Sequence, residues 1–541
     1  MSQNLLRRLK FYDKEDRPWP ALRLTSSAIV GHTTATGTRI WVRVHEPGNY
    51  CLVLAEDEID TRQQPRRVRG RVALGDDGEL ACRNWKATLS YETDLTGVFD
   101  VDGLSPGTRY YYALFSLKQR AERWEVGRDE PLSFSTQPVE PDRLTFGLFS
   151  CHMPFKGRNV LNQHMWDSFH QLLHDLRADF VIGGGDQVYT DGDKHVSIWR
   201  WLRKVKKDVA RLNKDDQYDV MTSWYRDIYR GYWGDLALRR VFRCFPTYMI
   251  WDDHEIMDGW GSYTKDELSN TLDTLWEWEN KAKNLKLADN MFRAAKKVYD
   301  EYQHSHNPPT LSNRWDYTFE WPYAAFYVLD MRGRRDFEAD SHRILGEPQM
   351  RRFKDWLTAD KTSQADVVFI VSPVPVVHLT DFVVNTLDLP ALGLADDLRD
   401  EWDHENNREE RNELLDAVFR FSQDSGKRVV FLSGDVHVAA AFKLTRQRMR
   451  DARVYQLTSS AITYCKTPGS LLKLVVRQTG ELKETTSPTS CLSLHEPFPA
   501  NNFGLVHIEK RPSGPPKLMW DLYGSTGTEE QLVRLKRLEL E

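Results

Sequence analysis

The sequence predicts a layered α/β domain behind an antiparallel β-sandwich. Before about residue 138 it carries short β-rich runs bounded by turn residues. After that point a strand-helix-strand rhythm begins, in which each apolar run ends at a polar cluster. At 541 residues the chain also exceeds the size at which one hydrophobic core stops growing, so two domains are expected.

Within Ser26 to Thr136, Thr38 to Val44 (TRIWVRV) and Arg109 to Leu114 (RYYYAL) read as strands, and LSPGTRYYY sets a Pro-Gly turn before an aromatic strand. PLSFSTQP closes the unit, and the boundary falls near Pro138 to Arg143. Leu144 to Ser150 then reads as a buried strand, Val160 to Leu176 as a helix, and Asp179 to Gly183 as the next strand. Similar apolar runs follow at Pro246 to Trp251, Ala325 to Asp330, Val367 to Ser372 and Arg428 to Ser433. Active sites of α/β folds gather at such strand ends. Two Lys-, Arg- and Trp-rich helical segments, near 196–240 and 267–302, read as insertions walling the site, and runs such as RKVKK as solvated helix faces.

Composition excludes several classes. Lys and Arg total 74 against 79 Asp and Glu, a net charge of −5, which argues against a dedicated nucleic-acid partner. The N-terminal run MSQNLLRRLK is broken by charge at Arg7, so no export signal is read and a cytoplasmic location is expected. The most apolar stretch, Val367 to Leu379, is far short of the ~20 residues of a membrane span and is interrupted by Pro373 and Pro375. Six scattered cysteines without a CxxC argue against a disulfide framework.

Four segments place metal-ligand residue types directly after predicted strands: Ser150-Cys151-His152, Gly185 to Tyr189, Trp251 to Glu255, and Gly434 to His437. A carboxylate after a strand is often only a turn former or helix cap, but four such clusters in order point to one site. A thiolate, a phenol, an imidazole and carboxylates suit trivalent iron beside an oxygen-loving divalent cation. Cys151, Asp186, Tyr189 and His437 form the expected first site. Asp186 bridges, and Asp253 with Asp435 supplies a second site suited to calcium, magnesium or manganese better than zinc. Paired cations ~4 Å apart clamp a phosphate.

These motifs resemble the alkaline phosphatase D (PhoD-like) branch of the calcineurin-like metallophosphoesterases. The resemblance runs over about 144–465, through SCHMP, GGDQVYTDG, IWDDHEIMDGWGSY, LDMRGRR, LGEPQ with DWL, and LSGDVHVA to LTSSAIT. It implies a metallophosphoesterase core, a layered α-β-β-α sandwich with helical insertions over 141–541, preceded by a fibronectin-like β-sandwich over 1–140. It also implies iron(III) with calcium as cofactors. The family's cysteine ligand maps to Cys151, its GDxxY pair to Asp186 and Tyr189, its DDHE block to Asp252 through Glu255, and its GDxH pair to Asp435 and His437. By the same resemblance Asp253 takes the place of the asparagine of the wider superfamily, and His254 is the candidate proton donor. His152 stands where glutamine is common. No equivalent is found for the additional histidine that many superfamily members place on the second metal; His378, the nearby candidate, is left out as a packed core residue.

The expected reaction is in-line attack on the phosphorus of a phosphate ester by hydroxide generated on the metals, with His254 protonating the leaving alkoxide. The alternative for His254 is to orient a ligand. Monoesters are the expected substrates, with diesters as a second class. The rival readings are a phosphodiesterase or phospholipase D-like enzyme, and a noncatalytic protein that holds phosphate groups. Arg332, Arg334 and Arg335 either meet a phosphate or pair with surface carboxylates. The N-terminal sandwich is expected to supply no metal donor.

Overall fold

The computed structural model describes residues 24–541 apart from 25, 63–64, 69–70, 75–82, 118–122, 129, 157–158, 193–196, 210, 277–279, 338–343, 378–398, 465–478, 483–484 and 526–531. His378 lies outside the described residues, as do the side chains of Arg203, Lys204, Lys206 and Lys207.

The N-terminal unit packs two antiparallel sheets face to face and carries a separate hairpin, Pro65–Val68 with Arg71–Leu74. Ser27–Thr33, Gly37–Arg43 and Thr96–Asp102 form one; Leu132–Ser135, Arg109–Ser116, Gly48–Ala55 and Arg83–Leu89 form the other, with Arg123–Val126 added to Arg109–Ser116. Alternation along TRIWVRV explains the packing: Ile40 and Val42 face Leu52, Leu54, Tyr112 and Leu114 between the sheets. Trp41 points the other way. Its indole Nε1 donates to the carbonyl of Glu301 at 2.7 Å, and its ring lies against Trp233 and Tyr302 of the following domain. One apolar cluster therefore runs from Leu24, Ile29 and Trp41 into the core beyond residue 143.

That second core lies between two mixed sheets. The first has the order Thr247–Ile250, Phe180–Gly184, Arg143–Phe149, Asn502–Glu509, Lys517–Ser525, Leu532–Leu540. Its first three strands are parallel, and the last three are antiparallel strands from the C-terminus that pair back onto Arg143–Phe149. The second has eight strands, with Ala324–Val328, Val367–Val371, Arg428–Ser433 and Met449–Thr458 parallel at its centre. Phe146 of the first sheet packs edge-on against Phe326 and Phe369 of the second. On its outer face the first sheet sets Phe149 against Trp166, Phe169 and Phe242 of two helices. The second buries Ile370 and Phe431 with Phe353 and Phe419 of helices Glu347–Leu357 and Arg408–Ser425.

The expected insertions are helical at Ile198–Val209, Lys214–Tyr232, Leu236–Cys244, Lys265–Trp276 and Lys281–Tyr302. Asn213, Asp235 and Asn280 cap three of them by accepting from the backbone amides of Asp216, Ala237 and Lys283. The expected helix over Val160 to Leu176 begins later, at Gln163, because Asn159–Val160 pairs with Phe155–Lys156 as a hairpin.

Candidate metal centre

Cys151, Asp186 and Asp253 follow the carboxyl ends of the three parallel strands of the first sheet, and Asp435 and His437 follow Arg428–Ser433 of the second. The two sets meet because the loops interlock. Cys151 N donates to the carbonyl of Gly185, His152 N to that of Asp186, Ile462 N to that of Ser150, and Ser459 N to that of Ser433. Gly434 sits at the crossing: a Cβ there would stand 2.5 Å from Cβ of Ser150 and 2.9 Å from the carbonyl of Gly184, so no larger residue fits.

Cys151, Asp186, Asp435 and His437 all have left-handed backbone, with φ of 54°, 56°, 62° and 54°. Non-glycine residues rarely adopt this region, which costs on the order of 1–3 kcal/mol each and concentrates at functional sites. Three overlapping groups offer donor atoms within 4.8 Å of one another: Cys151, Asp186 and His437; Asp186, Asp253 and His254; and Asp186, Asp252, Asp253 and Asp435. Asp186 belongs to all three. Tyr189 joins the first through its hydroxyl, which donates to Asp186 Oδ2 at 3.3 Å and lies 2.9 Å from His437 Nε2.

The residues fit metal ions. Asp186 Oδ1, Asp252 Oδ2 and Asp253 Oδ1 are buried without a hydrogen-bond partner, a costly condition for carboxylates that a cation relieves. The electrostatics agree. Burial, then repulsion from Asp253 and Asp252, pushes the Asp186 carboxyl well above the usual range despite His254, and burial with Asp252 and Asp253 does the same to Asp435. Burial, Asp186 and Asp435 push the Cys151 thiol up, and burial, Asp186 and Cys151 push up the Tyr189 phenol. In each case burial leads and neighbouring anions add to it, a condition that a bound cation would relieve.

His254 is held rather than buried blind. Its Nδ1–H donates to Asp191 Oδ1 at 2.7 Å, and its side chain keeps 17% exposure. One ring face lies 4.1 Å, centroid to centroid, from Tyr189. Burial lowers its basicity, but Asp253, Asp191 and Asp186 outweigh burial and raise it.

Several residues of the site were not singled out from sequence. Asp252 lay inside the quoted DDHE block but was not counted as a donor. Asp191 lay five residues past Asp186 in GGDQVYTDG. Ser460, inside LTSSAIT, places Oγ 3.1 Å from Cys151 Sγ and accepts from the amide of His437 at 3.0 Å. Tyr464 stacks on His437 with centroids 3.9 Å apart. Of the three arginines left open between phosphate and surface carboxylates, Arg332 is fully buried and pairs with the interior carboxylates of Asp252 and Asp400. Arg335 follows it onto Asp400 at 3.4 Å, while Arg334 stays exposed, its Nη2 3.5 Å from the carbonyl of Asn313. Among the described residues no helix is long and apolar enough to cross a membrane.

A solved structure described as "Structure of PhoD" superposes with a TM-score of 0.63 at 14% identity, covering 95% of this chain and 89% of that one, which establishes a shared fold. The uncharacterized protein YGR266W of Saccharomyces cerevisiae is 24% identical over 53% of this chain and 47% of its own length. Alkaline phosphatase D of Bacillus subtilis is 26% identical over 30% of this chain and 24% of its own. The chain thus spans less than half the length of either curated relative. The family model described as PhoD-like phosphatase matches residues 146–513, most of the chain and every strand end that carries a candidate metal donor, and the chain therefore belongs to the PhoD-like phosphatase family.

Proposed function

We propose that this protein hydrolyses phosphate esters at a two-cation centre, with monoesters as the principal substrates and diesters as a second class. One observation carries the reading: four carboxylates share a space 4.8 Å across, and three of them keep a buried oxygen with no hydrogen-bond partner. Family membership and the name of the Bacillus relative support a phosphatase.

Cys151, Asp186, Tyr189 and His437 would hold the first cation, and Asp253 and Asp435, sharing Asp186 and joined by Asp252, the second. Thiolate and phenolate donors favour iron(III), and the all-oxygen set favours calcium, with manganese, magnesium and zinc as the alternatives. Bound cations supply positive charge that acidifies a water and neutralises phosphoryl oxygens. His254 supplies the proton for the leaving oxygen: Nδ1 is committed to Asp191, and Nε2 remains the group able to release a proton. Asp191 in turn accepts from the amide of Asp258, which fixes its carboxylate and hence the imidazole plane.

We also read the chain as a fibronectin-like sandwich over 1–140 and a catalytic domain over 141–541 with α-β-β-α layering. The two antiparallel sheets before residue 138 and the helices on the outer faces of the paired mixed sheets support this. Elemental analysis of protein purified without added metal, followed by a panel of aryl and alkyl monoesters and an aryl diester, tests the proposal. Iron and a second cation in stoichiometric amounts, with turnover abolished in Asp186→Ala, are expected. Fully loaded protein inert toward every ester would replace the enzyme with a phosphate-binding protein.

A further inference from the structure

Arg332 has no part in the reaction above, yet it stands directly behind the oxygen-rich group. Its guanidinium is wholly buried, so no substrate phosphate reaches it. Nε donates to Asp252 Oδ1. Nη1 donates to Asp400 Oδ1 at 2.9 Å and to the carbonyl of Trp260 at 3.0 Å. Nη2 stands 2.8 Å from Asp400 Oδ2 and 3.6 Å from Asp253 Oδ1.

The rest of LDMRGRR and LGEPQ holds this group in place. Asp330 Oδ1 accepts from Trp251 Nε1 at 2.8 Å, from Gly333 N at 2.9 Å and from Arg332 N at 3.2 Å. Gln349 brackets the backbone of Asp330, accepting from its amide at 2.9 Å and donating to its carbonyl at 2.7 Å. Trp251 immediately precedes Asp252, so the network closes on itself. Asp252 is divided between two tasks: one oxygen is on Arg332, and the other has no hydrogen-bond partner while the side chain belongs to the Asp186, Asp253 and Asp435 group. Arg332 thus sets one unit of positive charge behind those four carboxylates, countered in part by Asp400.

We propose that Arg332 is a positioning residue that sets the charge preference of the oxygen-rich site, pinning Asp252 and Asp253 and disfavouring a trivalent cation there relative to a divalent one. The inference rests on the metal reading above. A fixed positive charge repels a bound ion in proportion to that ion's charge. At ~6 Å and an effective dielectric of ~20, one extra unit of cation charge changes relative affinity by on the order of a hundredfold.

Competition between Ca²⁺ and Tb³⁺, ions of similar size, tests this on the full chain through terbium luminescence sensitised by the protein's tryptophans. Asp252→Asn identifies the signal belonging to this site. Arg332→Gln should raise the Tb³⁺ to Ca²⁺ affinity ratio by on the order of a hundredfold, and Asp400→Asn, which uncovers the positive charge, should lower it. Arg332→Lys should weaken both ions while keeping the ratio within about twofold. If Arg332→Gln does not fold, the Lys and Asn variants still decide the matter. A constant ratio in Asp400→Asn, or equal changes in the Gln and Lys variants, overturns the charge-preference role while the metal centre stands. If neither ion binds folded wild type, the metal reading fails and this inference with it.

Discussion

Trp41 offers the most direct test of whether the N-terminal sandwich is structurally fused to the domain it precedes. Its side chain is 1% exposed and sits between Trp233 and Tyr302, with centroids 6.3 and 5.5 Å away. Trp41→Ala removes this buried ring, at about 3–5 kcal/mol, and takes the indole donor from the Glu301 carbonyl, which keeps Ser305 Oγ at 3.4 Å, adding about 0.5–1.5 kcal/mol. The sum, about 3.5–6.5 kcal/mol, is a large share of the roughly 5–15 kcal/mol by which a domain is stable. Nearby ion pairs tie the same contact together: Arg230 Nη1 meets Asp94 at 2.6 Å, and Asp94 also accepts from the Tyr302 hydroxyl. Because the apolar cluster is continuous from Trp41 to Phe146 and Trp251, the lesion should destabilise both units together. Urea unfolding followed by both far-ultraviolet circular dichroism and loss of turnover should show one transition, displaced to lower urea in the variant. A variant in which the sandwich melts early while turnover keeps the wild-type midpoint would refute the shared core and vindicate a dispensable N-terminal domain.

Three further outcomes follow from the site. Ferric iron bound by the Tyr189 phenolate and the Cys151 thiolate should give a visible charge-transfer band, which Tyr189→Phe weakens or shifts; iron-free active enzyme would discard that assignment in favour of zinc. His254→Ala should keep its metals and lose on the order of 10²–10⁴-fold turnover of alkyl esters, aryl esters suffering less, whereas Asp186→Ala and Asp253→Asn should lose metal; equal losses for both ester types would make His254 an orienting residue. Asp179, which accepts from the amide of Thr145 at 2.8 Å, has its carboxyl pushed by burial to about 7 against that bond and Arg143. Native protein therefore binds this proton more tightly than unfolded chain, so the stabilisation is complete below about pH 4 and is lost as pH rises through 7. Asp179→Asn keeps the acceptor without the charge and should exceed wild type by about 1–3 kcal/mol at pH 8 but not at pH 4; a difference independent of pH in urea melts would contradict this.

That donor residue types stand at these strand ends was legible because the signal is local. A strand that ends in Gly-Asp or Trp-Asp-Asp-His must turn at the sheet's edge, and a polar donor placed there by the period of the strand needs only a few residues of context. Cys151, Asp186, Asp253, Asp435 and His437 all lie within four residues of a strand end. The same locality made the strands themselves readable, since Leu144 to Ser150 and Arg428 to Ser433 coincide with observed strands to within a residue.

What only the tertiary structure decided are the partners drawn from far along the chain. Arg332 could be read equally for phosphate or carboxylate until Asp252 and Asp400 were seen closing on it, 80 and 68 residues away. The C-terminal strands Asn502–Glu509, Lys517–Ser525 and Leu532–Leu540 carry no motif, yet they complete the sheet that presents Cys151 and Asp186. Trp41 alternates correctly for a sandwich strand, and nothing in its neighbours says that its outward face is also buried. By itself, then, the sequence determined which side chains stand at the strand ends, because backbone period acts over a few residues. Folding decided which buried charges neutralise one another and which faces are covered, because desolvation and packing depend on whatever the chain brings within a few ångströms, regardless of separation along it.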